Sequence, residues 1–159
     1  MADHLFLVGM MGSGKTTVAR LLAEHLDRPL IDLDDEIETH AGRSIPALFA
    51  DEGEDTFRRR EAEALARVAT SEVPSVVATG GGVVLWAENR STLSAHGTTV
   101  LLRARPATLA ARLAADHAGR RPLLGAPGDD LERRLEAIAS DRASAYAEVA
   151  DLVVDVDDL

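Results

Sequence analysis

The segment Gly9-Met10-Met11-Gly12-Ser13-Gly14-Lys15-Thr16 has the residue types and the spacing, G-x-x-x-x-G-K-[ST], that hold a polyphosphate. Lys15 is the only lysine in the chain, and every other basic side chain is an arginine. Backbone N–H groups of a glycine-rich turn, together with a helix N-terminus behind it, face inward and cradle an anion. Lys15 supplies a compact positive charge for β- and γ-phosphates, and the Thr16 hydroxyl is a hard oxygen ligand for Mg²⁺. Met11, Gly12, Ser13, Gly14, Lys15, Thr16 and Thr17 are therefore the candidate nucleotide contacts. Side chains at Gly12 or Gly14 would hold the backbone away from a phosphate. The competing reading is a glycine-rich turn without a ligand. Against it stands the context: the apolar run Leu5-Phe6-Leu7-Val8 comes before, and a helical pattern follows from about Thr17.

Three further groups carry chemistry. Asp32 and Asp34 lie two residues apart after the apolar Leu30-Ile31, and would share one face if strand geometry persists there. Asp32 can hold Mg²⁺, directly or through water, while Asp34 can accept a hydrogen bond from a substrate hydroxyl, positioning it or acting as base. Solvated loop acids, or a helix N-cap before Glu36, are the alternatives. Arg58, Arg59 and Arg60 are consecutive on a helical stretch and point about 100° apart, so they cannot all face one ligand. Glu61 can orient Arg58 through an i,i+3 contact. Gly80-Gly81-Gly82 follows a β-rich run, where glycines let backbone N–H groups approach a ligand; a loose turn is the alternative.

The elements that must position these groups alternate. Strands are expected at 4–9, 29–34, 75–79, 98–102 and 152–156. Helices are expected at 15–27, 35–40, 45–50, 55–70, 86–95, 106–115 and 130–148. Ser44 is a cap with Pro46 just inside its helix. Residues 116–129, with three glycines and two prolines, read as an irregular flap. Strands alternating with helices imply a parallel sheet covered on both faces, with ligands at the carboxyl ends of the strands.

Composition narrows the class. At 159 residues the chain is expected to form one domain, 1–159. Without cysteine it holds no disulfide, thiolate metal site or thiol nucleophile. A net charge of −10 argues against a general nucleic-acid binder, and it requires local arginine clusters wherever an anion is to bind. No apolar run is long enough to span a bilayer, and Met1-Ala2-Asp3-His4 lacks a signal-peptide layout, so no membrane partner and a cytoplasmic location are expected. The five histidines show no metal-ligand spacing and are expected at the surface or in turns. Trp86 is expected to pack near a helix start.

Taken together, the motifs resemble those of shikimate kinase, a small member of the P-loop nucleoside-monophosphate-kinase group. The residues that carry the resemblance are Asp32-Leu33-Asp34, Gly42-Arg43-Ser44-Ile45, Phe57-Arg58-Arg59 with Glu61, Gly80-Gly81-Gly82, Arg121-Pro122-Leu123-Leu124, and Arg142 with Tyr146. The resemblance implies a three-layer αβα P-loop kinase fold with a five-stranded parallel sheet in the order 2-3-1-4-5. It places a substrate-binding region at about 33–61 and a lid at about 114–128. It implies ATP-dependent phosphorylation of the shikimate 3-hydroxyl, on the route to chorismate and the aromatic amino acids, with Mg²⁺ as cofactor and a monomeric enzyme. Arg58 and Arg142 would clamp the substrate carboxylate, Gly81 and Gly82 would contact the substrate, and Asp34 would orient its hydroxyl. Arg121 would be delivered to the transferring phosphoryl group, with Arg120 its competitor, and Arg112 would flank adenine. Phe57, Ile45 and Phe49 fit either the substrate pocket or ordinary core. Family members continue past the last strand into a loop touching adenine and a terminal helix, whereas this sequence stops at Asp157-Asp158-Leu159. The rivals are a kinase for another hydroxy acid, such as gluconate, and a nucleotide-binding regulatory domain without turnover.

Overall fold

The first strand, β1 (His4–Gly9), is buried on both sides, and its side chains alternate between two cores. Phe6 and Val8 enter one, and Leu5 and Leu7 enter the other. A strand with two apolar faces belongs in the middle of a sheet. In the computed structural model, which describes residues 3–115 and 129–158, β1 is the central strand. Around it run β2 (Leu30–Asp32), β3 (Val76–Ala78), β4 (Gly97–Arg103) and β5 (Leu152–Asp155), in the order β2-β3-β1-β4-β5. Every pairing is parallel, with Leu5 opposite both Val76 and Thr98. The expected strand order is therefore the observed one.

The layers are unequal. Helix α1 (Lys15–Leu26) covers one face through Ala19 and Ala23 against Leu7, Val76 and Val100. The other face packs against α2 (Leu33–Ala41), α3 (Ile45–Ala69), α4 (Ala87–His96), α5 (Pro106–Ala115) and α6 (Asp129–Val149). Leu152 and Val154 pair with Val100 and Leu102 and so lie on the α1 side, where Leu152 remains 57% exposed.

Three local details depart from the expectations. The second strand ends at Asp32, and Leu33 already begins α2 because Asp32 caps that helix, its Oδ1 accepting from the N–H groups of Asp34 (2.9 Å) and Asp35 (3.3 Å). Strand geometry thus does not persist to Asp34, which sits in the first turn of α2. The two expected helices at 45–50 and 55–70 meet in α3, broken only at Gly53 (φ 84°, ψ 171°), a conformation suited to glycine. His4 is buried rather than at the surface: its Nδ1 accepts from Ser75 N–H at 3.2 Å, which leaves Nε2 as the donor toward Ala69 O and Ser71 O, both at 3.1 Å. His117, Arg120 and Arg121 lie outside the described residues, as does the expected lid except for residues 114 and 115, which end α5.

Candidate active site

The loop between β1 and α1 is a turn closed on itself. Ser13 N–H donates to Met10 O at 3.2 Å, and Gly12 and Gly14 hold φ of 84° and 95°, which admits the loop into α1 without a β-carbon. A β-carbon on Gly12 would meet Leu109 O at 3.2 Å and Leu113 Cγ at 3.1 Å, so the loop is seated on α5. Lys15 Nζ donates to Gly9 O (2.7 Å) and Met10 O (3.0 Å). The side chain of Ser13 is buried beneath the loop, whereas Met11, Gly12, Gly14, Lys15, Thr16 and Thr17 line a cleft of about 500 Å³.

Across that cleft, Thr16 Oγ1 donates to Asp32 Oδ2 at 3.3 Å. Asp32 therefore caps α2 with one oxygen, as the alternative reading has it, and faces Thr16 with the other. Asp34 also lines the cleft, so the helical turn keeps it on the same side as Asp32 despite the lost strand geometry. Asp35 is not among the residues lining the cleft; its carboxyl is pushed up from the ordinary range first by the charge of Asp32, then by burial.

Gly80 and Gly81, after β3, also line the cleft, and Gly82 is buried behind them. A β-carbon on Gly80 would stand 3.0 Å from Glu61 Oε2 and 3.3 Å from Asp34 Oδ1. One on Gly81 would meet Arg142 Nη1 at 3.3 Å, and one on Gly82 would overlap the Arg58 guanidinium at 2.5 Å. Two carboxylates and two guanidinium groups thus crowd a turn that only glycines leave open. Arg58 Nη1 donates to Glu61 Oε1 at 2.8 Å, the expected i,i+3 contact, and its Cζ lies 5.3 Å from the Phe57 ring centroid. Phe57 itself stacks on Phe49 at 4.5 Å, so these rings serve both the core and the floor beneath Arg58. Among the described residues, Arg58 Nε and Arg142 Nη1 are buried and have no hydrogen-bond partner. Arg58 Nε lies 3.7 Å from Glu54 Oε2, an ion pair without a hydrogen bond, and buried guanidinium donors not hydrogen-bonded on either side of one turn suit a carboxylate. Glu61 is 1% exposed; burial pushes its carboxyl up, Asp34 adds to the shift, and Arg58 and Arg142 oppose it. Arg59 and Arg60 do not join this group, and Arg60 instead pairs with Glu52 at 2.8 and 3.0 Å.

Arg112 reaches Ser13 O at 3.4 Å and also donates to Val156 O, bridging the phosphate loop and the segment after β5. Several supporting residues carried no signal in sequence. Asp157 accepts from Arg105 N–H (2.9 Å) and Thr108 Oγ1 (2.7 Å), capping α5. Asn89 and Arg90 donate to Val83 O (2.9 Å) and Val84 O (2.8 Å), fastening the 3-10 turn Val83–Leu85 that follows the glycines. The fold alone brings Asp157 to its partners 52 and 49 residues earlier, whereas Asn89 and Arg90 reach back only six residues.

Residues 11–159 match the family model for shikimate kinase. The chain belongs to the shikimate kinase family. A shikimate kinase from Symbiobacterium thermophilum is 48% identical over 154 residues, 97% of this chain and 87% of that protein. A shikimate kinase structure from Acinetobacter baumannii, solved in complex with shikimate, superposes with a TM-score of 0.87 at 38% identity, covering 97% of this chain and 83% of that one. The shikimate kinase of Bacteroides thetaiotaomicron gives 0.90 at 34% identity, covering 99% and 88%.

Proposed function

We infer that this chain is an ATP-dependent kinase that phosphorylates the 3-hydroxyl of shikimate, giving shikimate 3-phosphate and ADP. The observation that carries this is the glycine turn flanked by Arg58 and Arg142 and opening onto the same cleft as the phosphate loop, in a chain of the shikimate kinase family.

ATP lies along the loop, its γ-phosphate toward Gly80. Lys15 leaves the Gly9 and Met10 carbonyls for the β- and γ-phosphates. Arg58 and Arg142 grip the substrate carboxylate, and the Gly81–Gly82 backbone borders it. Asp34, against Gly80, accepts the hydrogen bond of the 3-hydroxyl and holds its oxygen in line with γ-phosphorus. The new O–P bond forms as the bond to the β,γ-bridging oxygen breaks, the hydroxyl proton passes to Asp34 or to water, and ADP leaves. Arg112 lies beside the base. Arg121 is assigned to the transferring phosphoryl group by its motif alone.

The donors present fit Mg²⁺. Thr16 Oγ1 and Asp32 Oδ2 are hard oxygens 3.3 Å apart, and among the described residues no group of three acids or histidines forms a self-sufficient metal cage. Mg²⁺ takes few protein ligands and completes its shell with water and phosphate oxygens. When bound there it would neutralise charge on the β- and γ-phosphates. A monomeric, cytoplasmic enzyme is the accompanying expectation.

The decisive experiment couples ADP release to a reporter, with shikimate, gluconate or no acceptor, and follows the product by mass. ADP formation should depend on shikimate and match shikimate 3-phosphate one to one. Acceptor-independent hydrolysis, or preference for gluconate, would reject the assignment.

A further inference from the structure

All three carbonyls of the glycine turn are engaged. Gly80 O accepts from Val83 N–H at 3.2 Å and Gly82 O from Leu85 N–H at 3.1 Å, so two are held by the backbone of the following 3-10 turn. The middle one, Gly81 O, accepts instead from a side chain, the hydroxyl of Tyr146 at 2.5 Å. A peptide unit is planar and trans, so fixing the Gly81 carbonyl also fixes the Gly82 N–H on its opposite edge. Glycines on both sides of that unit would otherwise leave it the freest peptide in the turn.

We propose that Tyr146 is a positioning residue for the acceptor substrate: its hydroxyl locks the Gly81–Gly82 peptide in the orientation that receives shikimate. The inference rests on the reading that this turn borders the acceptor. Tyr146 is well placed for the task. It is buried on α6, one helical turn after Arg142, so one helix supplies both a guanidinium for the substrate and the lock for the backbone beside it. Burial pushes the phenol up from its ordinary value of 10.0, with Arg142 opposing, so the hydroxyl remains a donor throughout the working pH range. Tyr146 is also the only tyrosine of the chain, and Trp86, the only tryptophan, directly follows the 3-10 turn. Both are single-site reporters.

The physical effect is a population effect. Without the hydroxyl, the peptide samples orientations that do not receive the substrate. Apparent affinity then falls by the fraction that remains competent. Loss of one neutral hydrogen bond corresponds to about a tenfold change. Tyr146→Phe should therefore raise the KM for shikimate about tenfold, and weaken shikimate binding read by Trp86 fluorescence to the same degree. The KM for ATP should stay within about twofold. Shikimate KM unchanged in the folded variant, or equal losses for both substrates, would overturn the proposal.

Two controls separate the alternatives. In an Arg142→Ala background, Tyr146→Phe should still produce its own loss; no further loss would mean that Tyr146 acts through Arg142, and the proposal would fall. Gly82→Ala tests the underlying reading, because its β-carbon enters the space of Arg58. If Gly82→Ala leaves shikimate KM unchanged, the turn does not border the acceptor. If it raises KM while Tyr146→Phe does not, only the lock is wrong. A measurement without substitution uses protein labelled with 3-fluorotyrosine, whose single ¹⁹F resonance should move on saturation with shikimate more than with ADP. A resonance unmoved by shikimate would also overturn the proposal.

Discussion

The Lys15 ammonium rests against two carbonyls of its own loop, so a bound polyphosphate exchanges neutral acceptors for anionic ones. Lys15→Met should keep the fold and lower turnover by about 10²–10³, the usual worth of one donor aimed at transition-state charge; steady-state kcat with a circular-dichroism spectrum checks both. Arg58 adds geometry to charge. Arg58→Ala should raise the KM for shikimate much more than that for ATP, and Arg58→Lys should restore little, because an ammonium cannot reproduce the planar fork held against Glu61 and Phe57. Comparable increases in both KM values would assign Arg58 to folding instead. Glu61 gives a pH signature. Its folded-state pKa is raised above the ordinary 4.5, so the folded protein keeps the proton longer than the unfolded chain does. The stability this contributes is complete below pH 4.5 and is lost as pH rises through the folded pKa. Glu61→Gln removes that slope, at most about 1.4 kcal/mol per pH unit. The thermal midpoint of the variant relative to the parent should therefore climb with pH across this window, and a constant difference would contradict the raised pKa.

Helix α5 links the site to a distant part of the chain. Its first turn is capped by Asp157, its middle carries the Gly12 seat at Leu109, and its last turn carries Arg112. Asp157→Ala should raise the KM for ATP while sparing that for shikimate, and should lower the thermal midpoint by about 2–4 °C. Asp157→Asn, which keeps an accepting oxygen, should recover most of both; no change in either quantity would show the cap to be idle. This element also marks how far the sequence could be read. The phosphate loop, β1 and the start of α3 were legible because their signals are local: an apolar run, fixed glycines, Ser44 before Pro46. Asp32 was legible as a helix cap, one of the alternatives that its spacing left open. The burial of His4 was not legible, because its partners Ala69, Ser71 and Ser75 lie 65 or more residues away. Nor was the Asp157 cap, whose partner Arg105 is 52 residues earlier. Arg58 and Arg142 could be paired only by family pattern, since nothing local says that two helices deliver them to adjacent glycines.

On the scale of the molecule, the sheet is protected unevenly. Among the described residues the α1 face carries a single helix, and Leu152 and Val154 extend its apolar surface along β5. An exposed apolar strand at a sheet edge invites self-association. Leu152→Thr with Val154→Thr should lower light scattering of the concentrated 159-residue chain and leave kcat and both KM values unchanged. Unaltered scattering would show that the edge is not the sticky surface. The bridge made by Arg112 has a consequence for biosynthesis. It joins Ser13, 99 residues before it, to Val156, 44 residues after it. On the ribosome the phosphate loop emerges before either partner of this bridge, so its bracing waits for the segment beyond β5 to clear the exit tunnel. Until then the loop lacks this brace. The stabilising effect of ATP on the growing chain should therefore increase once Ser13, Arg112 and Val156 are all outside the tunnel.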